Sequence, residues 1–347
     1  MILLRKILFP FSVLYGIITS FRNFLFDIGI LKSYSFSVPI IAVGNLSVGG
    51  TGKTPQIEYL IRLLSPKYKL ATLSRGYKRQ SKGFVLADET SNALTLGDEP
   101  YQFFTKFKNI QVAVDANRKN GIEQLLSQKV KPEIILLDDA FQHRKVKASF
   151  YILLTTYGDL FSDDWILPTG NLRESRSGAQ RADLVIVTKC PVNLPLEEQN
   201  EIKNKLNLEA KQQLYFSFID YDDSVYSETE TETETVNIPV SEIKKSPKLL
   251  LAGIAKPIPF FDYLKNENDV CLTFSDHHDF TENDIRTIKN QAGENVIITT
   301  EKDYVRLKDK LPNNQLYYLP IQSRFLKEQN QFDTSIINFI ETSLDIK

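Results

Sequence analysis

Ser47, Val48, Gly49, Gly50, Thr51, Gly52, Lys53 and Thr54 stand between an apolar run at 39–43 and a segment at 55–64 that reads as a helix. Strand, glycine-rich loop and helix in that order are what a phosphate-binding loop requires. The glycines let backbone N–H groups turn inward onto a polyphosphate with no Cβ in the way. Lys53 is placed to reach the β- and γ-phosphates of a nucleotide, and the Thr54 hydroxyl to ligate Mg²⁺. Pro55 suits the first helical turn, where a missing N–H is no loss. The usual pattern has glycine where this chain has Ser47. The bland alternative is a turn that only happens to carry Lys-Thr; the strand before it and the helix after it argue against that.

A second element supports the first. The aliphatic run 134–137 delivers Asp138 and Asp139, about 85 residues after the loop. A buried strand ending in an acid is how such sites complete a metal shell. If the strand continues through both acids they face opposite sides and do not share one role. Other residues suited to chemistry follow. Ser74, Arg75, Gly76 and Tyr77 end a strand, at the rim where open α/β sheets bind ligands. Gly97, Asp98, Glu99 and Pro100 start a helix with two acids, for which dipole complementation is the simple alternative. The irregular segment 165–174 carries Arg173, an anion clamp or a surface ion pair. Asp276, His277, His278 and Asp279 hold two of the three histidines; a metal reading lacks further ligands. One histidine oriented by an acid for proton transfer is the better reading. His143, the third, either orients the metal-site acids or contacts substrate.

These residues need a scaffold. Strand patterns at 39–44, 69–73, 110–114, 133–138, 149–154 and 183–188 alternate with helical patterns at 54–64, 98–107, 118–127 and 197–206. The alternation predicts an α/β fold of the P-loop nucleoside-triphosphate-hydrolase type, a mostly parallel sheet wrapped by helices. Segments 214–219 and 236–240 read as two strands of a ribbon, joined by a Glu/Thr tract at 227–235 whose charge repulsion predicts a solvated, mobile loop. From 248 the alternation resumes, with strands at 249–254, 270–274, 295–300 and a last one at 316–319. Thr281 and Asp284 form a capping-box pattern. The expected organisation is a helix at 1–30, a P-loop domain at 31–213, a β-ribbon connection at 214–245 and a smaller α/β domain at 246–347.

The 347 residues carry a net charge of −1, which excludes a whole-chain nucleic-acid signal, and 42% hydrophobic residues, enough for an ordinary core. Two distant cysteines, Cys190 and Cys271, exclude a disulfide framework and read as buried small hydrophobes. The first 32 residues are apolar and basic. The run is too short to span a bilayer and lacks a cleavage site. On a helical wheel Arg5, Ser12, Thr19, Arg22, Asn23 and Asp27 fall on one side. Ile7, Phe11, Leu14, Ile17, Ile18, Phe21 and Leu25 fall on the other. This predicts an interfacial helix whose polar side meets lipid headgroups; packing on the protein's own core is the alternative.

In order along the chain, the segment 43–55, Ser74 to Tyr77, Gly97 to Pro100, Asp138 to His143, the segment 167–174, Asp276-His277 and the Thr300, Glu301, Lys302, Asp303 run together resemble the tetraacyldisaccharide 4′-kinase family. The resemblance covers nearly the whole chain, and Ser47 is ordinary within it. It implies transfer of the γ-phosphate of ATP, with Mg²⁺, to the 4′-hydroxyl of tetraacyldisaccharide 1-phosphate, giving lipid IVA in lipid A biosynthesis. Residues 47–54 would bind ATP, with Thr54, Asp138 and Asp139 at the metal. Tyr77, Glu99, His143 and Arg173 would lie at the substrate. Asp98 and His277, in preference to His278, would be the catalytic pair. Either His277 takes the proton and Asp98 orients it, or Asp98 takes it with His277⁺ supporting. The lipid acceptor implies peripheral attachment to the cytoplasmic face of the inner membrane, as a monomer without a nucleic-acid partner. A membrane-associated ATPase switch and a soluble small-molecule kinase or ligase, whose N-terminal helix would be only structural, are the rival classes.

Overall fold

The structure, a computed structural model, describes residues 5, 7–228 and 235–345. It divides into two compact units, Met1–Ile219 with Ser323–Lys347, and Asp220–Gln322.

The first unit is built on strands β1 (Ile40–Asn45), β2 (Leu70–Ser74), β3 (Val85–Leu86), β4 (Gln111–Val114), β5 (Ile134–Asp138), β6 (Phe150–Thr156), β7 (Leu184–Thr188) and β8 (Gln213–Tyr221). With the late strand Ile321–Phe325 at its edge, the sheet runs Ile321–Phe325, β8, β7, β6, β1, β5, β2, β4, β3. The pairings from β4 to β8 are parallel; β3 lies antiparallel on β4, and the edge strand Ile321–Phe325 meets β8 in an antiparallel register, with Asp222 bonding Pro320 and Leu326 bonding Phe216. This is the expected α/β fold with a mostly parallel sheet. β1 shows why its strands read as unbroken apolar runs. Ile41 and Val43 join one core cluster while Ile40 and Ala42 join another, so both faces are covered. β1 pairs with β5 on one side and β6 on the other, so the loop leaving β1 opens at the crevice where the strand order diverges.

The second unit holds β9 (Ser224–Glu228), β10 (Thr235–Pro239), β11 (Leu249–Ala252), β12 (Val270–Thr273), β13 (Ile297–Thr300) and β14 (Leu316–Leu319), in the order β10, β9, β14, β13, β11, β12. Leu250 and Ala252 pack on one face and Leu249 and Leu251 on the other. Thr281 and Asp284 do cap the helix Glu282–Ala292, each side chain on the other's backbone N–H.

Two boundaries differ from the sequence expectation. Segments 214–219 and 236–240 are not partners: β8 extends the large sheet, whereas β10 pairs antiparallel with β9. The hairpin begins ten residues later because Ser224–Glu228 alternates buried and half-buried residues and forms the matching strand. The middle of the Glu/Thr tract, 229–234, lies outside the described residues. Finally, Leu316–Leu319 is not the last element. The strand Ile321–Phe325 and the helix Gln329–Asp345 return to the first unit, where Phe332, Ile336 and Ile340 enter its core at helical spacing.

The N-terminal helix, Phe9–Asp27, has an inverted disposition. Its buried residues are Ser12, Gly16 and Thr19. Phe11, Leu14, Ile17, Ile18 and Phe21 are all more than half exposed. The polar arc was expected to meet headgroups; it meets the protein instead, because its side chains find partners there. Ser12 bonds Thr169, Asn23 bonds Glu174, and Arg144 donates to the Asn23 carbonyl and to Asp27. No described helix is long and apolar enough to cross a membrane.

Candidate active site

β1 ends at the wholly buried Asn45, and eight residues later the helix Lys53–Leu64 begins. Helix and strand are locked by Ile57, Leu60, Ile61 and Leu64 in the core. Gly52, at φ +85°, makes the turn into the helix in a conformation that disfavours side chains. Gly44 permits a close crossing, since a Cβ there would lie 2.7 Å from that of Phe141. The loop between is tethered on both sides. The Thr188 hydroxyl donates to the Thr51 carbonyl (2.8 Å) and the Lys189 ammonium to the Gly50 carbonyl (2.7 Å). Opposite, the Val48 N–H donates to the Asn171 carbonyl and the Arg173 N–H to the Leu46 carbonyl, both at 2.8 Å. The Thr51 hydroxyl is buried with no hydrogen-bond partner among the described residues.

Two cations converge beside this loop. Lys53 Nζ lies 3.2 Å from Asn45 Oδ1 and 3.6 Å from Asp139. Arg173 grips both Asp139 oxygens, at 3.0 and 3.2 Å, and also donates to Asn45 Oδ1. The two acids therefore differ sharply. Burial works to raise the Asp139 carboxyl, but Lys53, Arg173 and Arg118 overcome it and hold it down at about 2. Asp138 closes β5, accepts a hydrogen bond from the Ser74 hydroxyl (3.3 Å) and is pushed up to about 6, first by burial and then by Asp139. The strand does not continue through Asp139, which turns out at φ +47°, so it is a backbone turn that separates them.

The other candidate residues have distinct settings. Asp98 is buried and Glu99 half-buried at the start of the helix Asp98–Lys106. Tyr77 is exposed, just after the Gly76 turn. Burial, with Arg118 and three further cations, pushes the His143 imidazole down to about 4, so it is neutral at physiological pH. Its Nε2 is buried without a hydrogen-bond partner among the described residues. In the second unit, His277 adopts φ +56°, and Lys302 Nζ lies 2.9 Å from its Nε2 and 2.7 Å from Asp276. His278 instead serves the fold: it bonds the capping Asp284 (3.0 Å) and packs on Phe274.

Two contributors were missed from sequence. Asn45 gathers Lys53 and Arg173 on its side chain, and Gln142 (2.8 Å) on its carbonyl. Arg118, 2% exposed, donates to the carbonyls of Asp115 (2.7 Å) and Asp138 (3.1 Å), fixing the backbone that presents the acids. Burial pushes its guanidinium down to about 10. The available signal was an arginine directly after the strand–Asp115–Asn117 turn, where Asn117 caps the following helix. A cation at a helix start is unfavourable to the dipole and needs another reason.

The glycine-rich loop on a central parallel strand, with Lys53 and Thr54 opening the helix and Asp138 ending the adjacent strand, defines a P-loop nucleotide-binding protein. A profile of the family described as tetraacyldisaccharide-1-P 4′-kinase matches residues 4–341. A tetraacyldisaccharide 4′-kinase of Flavobacterium johnsoniae is 68% identical over 343 residues, covering 99% of each chain. Its counterpart in Bacteroides thetaiotaomicron is 48% identical, covering 97% of this chain and 93% of that one. The crystal structure of LpxK from Aquifex aeolicus in complex with ATP is similar at a TM-score of 0.76 and 30% identity, covering 97% of this chain and 99% of that one. The chain belongs to the tetraacyldisaccharide-1-phosphate 4′-kinase family, and is an enzyme, an ATP-binding kinase of lipid A biosynthesis.

Proposed function

We propose that this chain joins the γ-phosphate of ATP to the 4′-hydroxyl of tetraacyldisaccharide 1-phosphate, with residues of the first unit and His277 of the second in the following roles. Backbone N–H groups of 47–54 cradle the phosphates, and Lys53 neutralises charge on the transferring group. Arg173 serves as a second cation on the phosphates or substrate. Asp98 and His277 handle the acceptor's proton. The acceptor oxygen attacks γ-phosphorus, the bond to the β–γ bridging oxygen breaks, and ADP carries away that electron pair. Tyr77, Glu99 and His143 contact the acceptor; His143, neutral, does so by hydrogen bonding rather than charge. The observation that carries this reading is the convergence of Lys53 and Arg173 on Asp139 beside the tethered loop.

The residues present fit Mg²⁺. Thr54, Asp138 and Asp139 offer only hard oxygen donors, and a carboxyl raised by burial and a neighbouring acid is relieved by a divalent cation. Held by these residues, such an ion would offset charge on the phosphates.

The exposed apolar face of the helix Phe9–Asp27 supports peripheral attachment at the cytoplasmic face of the inner membrane, where the lipid acceptor resides. Labelled ATP with detergent-solubilised lipid acceptor tests the assignment. Label should appear in lipid, and only when Mg²⁺ is present. ATP hydrolysis without lipid labelling would instead identify a nucleotide switch.

A further inference from the structure

We propose that Ser12, Tyr15 and Asn23 are positioning residues for phosphoryl transfer, acting through the strip 169–174 that links the N-terminal helix to the phosphate loop. The inference rests on the reading of the loop and Arg173 as the phosphate site.

The strip is held along two edges. On the inner edge, its Arg173 N–H and Asn171 carbonyl bond Leu46 and Val48 of the phosphate loop. Its Arg173 guanidinium closes on Asp139 and Asn45. On the outer edge stands the helix. The Ser12 hydroxyl donates to the Thr169 hydroxyl (2.7 Å) and accepts from the Thr169 N–H (2.9 Å). The Tyr15 hydroxyl donates to the Arg173 carbonyl (3.1 Å). Asn23 Nδ2 donates to the fully buried Glu174 carboxylate (2.6 Å), which also holds Arg181 (2.8 Å).

Arg173 is therefore gripped three times: by its N–H from the loop, by its carbonyl from the helix, and by its side chain at the acids. Among the described residues no regular strand runs through the strip, which has isolated bridges at Leu172, to Ser47 and Ile166; the preceding segment also holds it, through the Asp164 carboxylate on the Asn171 N–H and the Trp165 carbonyl on the Leu172 N–H. Its position depends on what flanks it. A helix serving only as an anchor needs its outward apolar face and nothing specific behind. This helix instead presents a hydroxyl, a phenol and an amide to three points of one six-residue strip. Gly16 allows the close approach, with Ile166 3.1 Å from where a Cβ would stand. Displacing a phosphate-binding cation by about 1 Å lowers turnover on the order of 10²-fold.

The test uses the full chain and separates two helix faces. Ser12→Ala with Asn23→Ala alters the inward face, and Ile17→Ser with Phe21→Ser the outward one. Tyr15→Phe, which removes one exposed hydroxyl, guards against misfolding of the first pair. Three quantities are read: partitioning onto phosphatidylglycerol-containing vesicles, kcat/KM for ATP with detergent-solubilised acceptor, and unfolding midpoint. The inward variant should keep vesicle partitioning while kcat/KM for ATP falls roughly 10- to 100-fold, and Tyr15→Phe should lower it about two- to tenfold. Ser12→Thr alone, which keeps the hydroxyl, should retain the parent kcat/KM for ATP. The outward variant should lose partitioning and keep the kcat/KM for ATP. An inward variant and Tyr15→Phe that both retain the parent kcat/KM for ATP would overturn the proposal. If Arg173→Ala itself were harmless, the phosphate-site reading would fall instead.

Discussion

Asp138 offers a test in which stability and activity move in opposite directions. Its carboxyl is raised from 3.8 to about 6 in the folded protein, by burial first and Asp139 second. The sign follows from linkage. A raised carboxyl means that the folded state binds protons more tightly than the unfolded one, so stability falls as pH rises between about 4 and 6. Below that window the charge is absent from both states and there is no penalty. Above it the penalty is complete, at about 3 kcal/mol for roughly two units at 1.36 kcal/mol each. Relaxation and partial solvent access should reduce this to about 1–2 kcal/mol. Asp138→Asn removes the charge and keeps an acceptor for the Ser74 hydroxyl. Metal-free Asp138→Asn should therefore resist denaturant better than the parent by about 1–2 kcal/mol near pH 7.5, and by about a third of that near pH 4.5. Adding Mg²⁺ should stabilise the parent and leave the variant unmoved, and transfer by the variant should be nearly abolished. A variant that is less stable than the parent at both pH values would refute the electrostatic account. Equal stabilisation of both proteins by Mg²⁺ would refute Asp138 as a ligand.

Lys53→Ala should leave the fold intact and lower transfer by on the order of 10²–10³, measured as kcat with labelled ATP. Asp98→Ala and His277→Ala should each lower kcat roughly 10²–10⁴-fold, and the double variant little more than either single one; multiplicative losses would separate them as a working pair. His278→Ala should act on the second unit's thermal midpoint through Asp284 and Phe274, with a far smaller effect on kcat than His277→Ala. Vesicle partitioning should change less than about threefold when salt rises across a Debye length of 10 to 4 Å, because the helix presents its apolar rather than its polar side. A steep salt dependence would point to headgroup attraction as the main term.

The nucleotide side of the site was legible because its parts are local. A strand, a loop and a helix are consecutive in sequence, and the glycines mark where the backbone must bend. Asp138 and Asp139 were legible for a similar reason, as acids ending an aliphatic run. Their difference was not, because it depends on Lys53 and Arg173 approaching one acid and on the turn at Asp139. Arg118 was invisible as a site residue: its partners are backbone carbonyls, which no side-chain pattern encodes. Asn45 was hidden within the strand it terminates. The return of the helix Gln329–Asp345 had a readable period in Phe332, Ile336 and Ile340, but period shows that a face is buried, not on which core.

The N-terminal helix shows the same limit from the other direction. Its wheel correctly separated a polar from an apolar arc, and amphipathicity alone leaves open which arc faces the protein. Burial of the apolar arc is the ordinary outcome, since a side chain such as Phe or Ile contributes about 1.5–3 kcal/mol when removed from water. Six such residues of the helix stand more than half exposed here, while Ser12, Gly16 and Thr19 are covered. Hydrogen bonds to the strip 169–174 are worth about 0.5–1.5 kcal/mol each, too little to outweigh the apolar term on their own. The orientation is therefore reasonable only if the apolar face gains its burial elsewhere. On the reading proposed above, a lipid surface supplies it for a kinase whose acceptor is itself a lipid. The same orientation leaves the polar arc free to grip the strip behind the phosphate loop, so the proposed membrane face and the contacts toward the nucleotide site lie on opposite sides of one short helix.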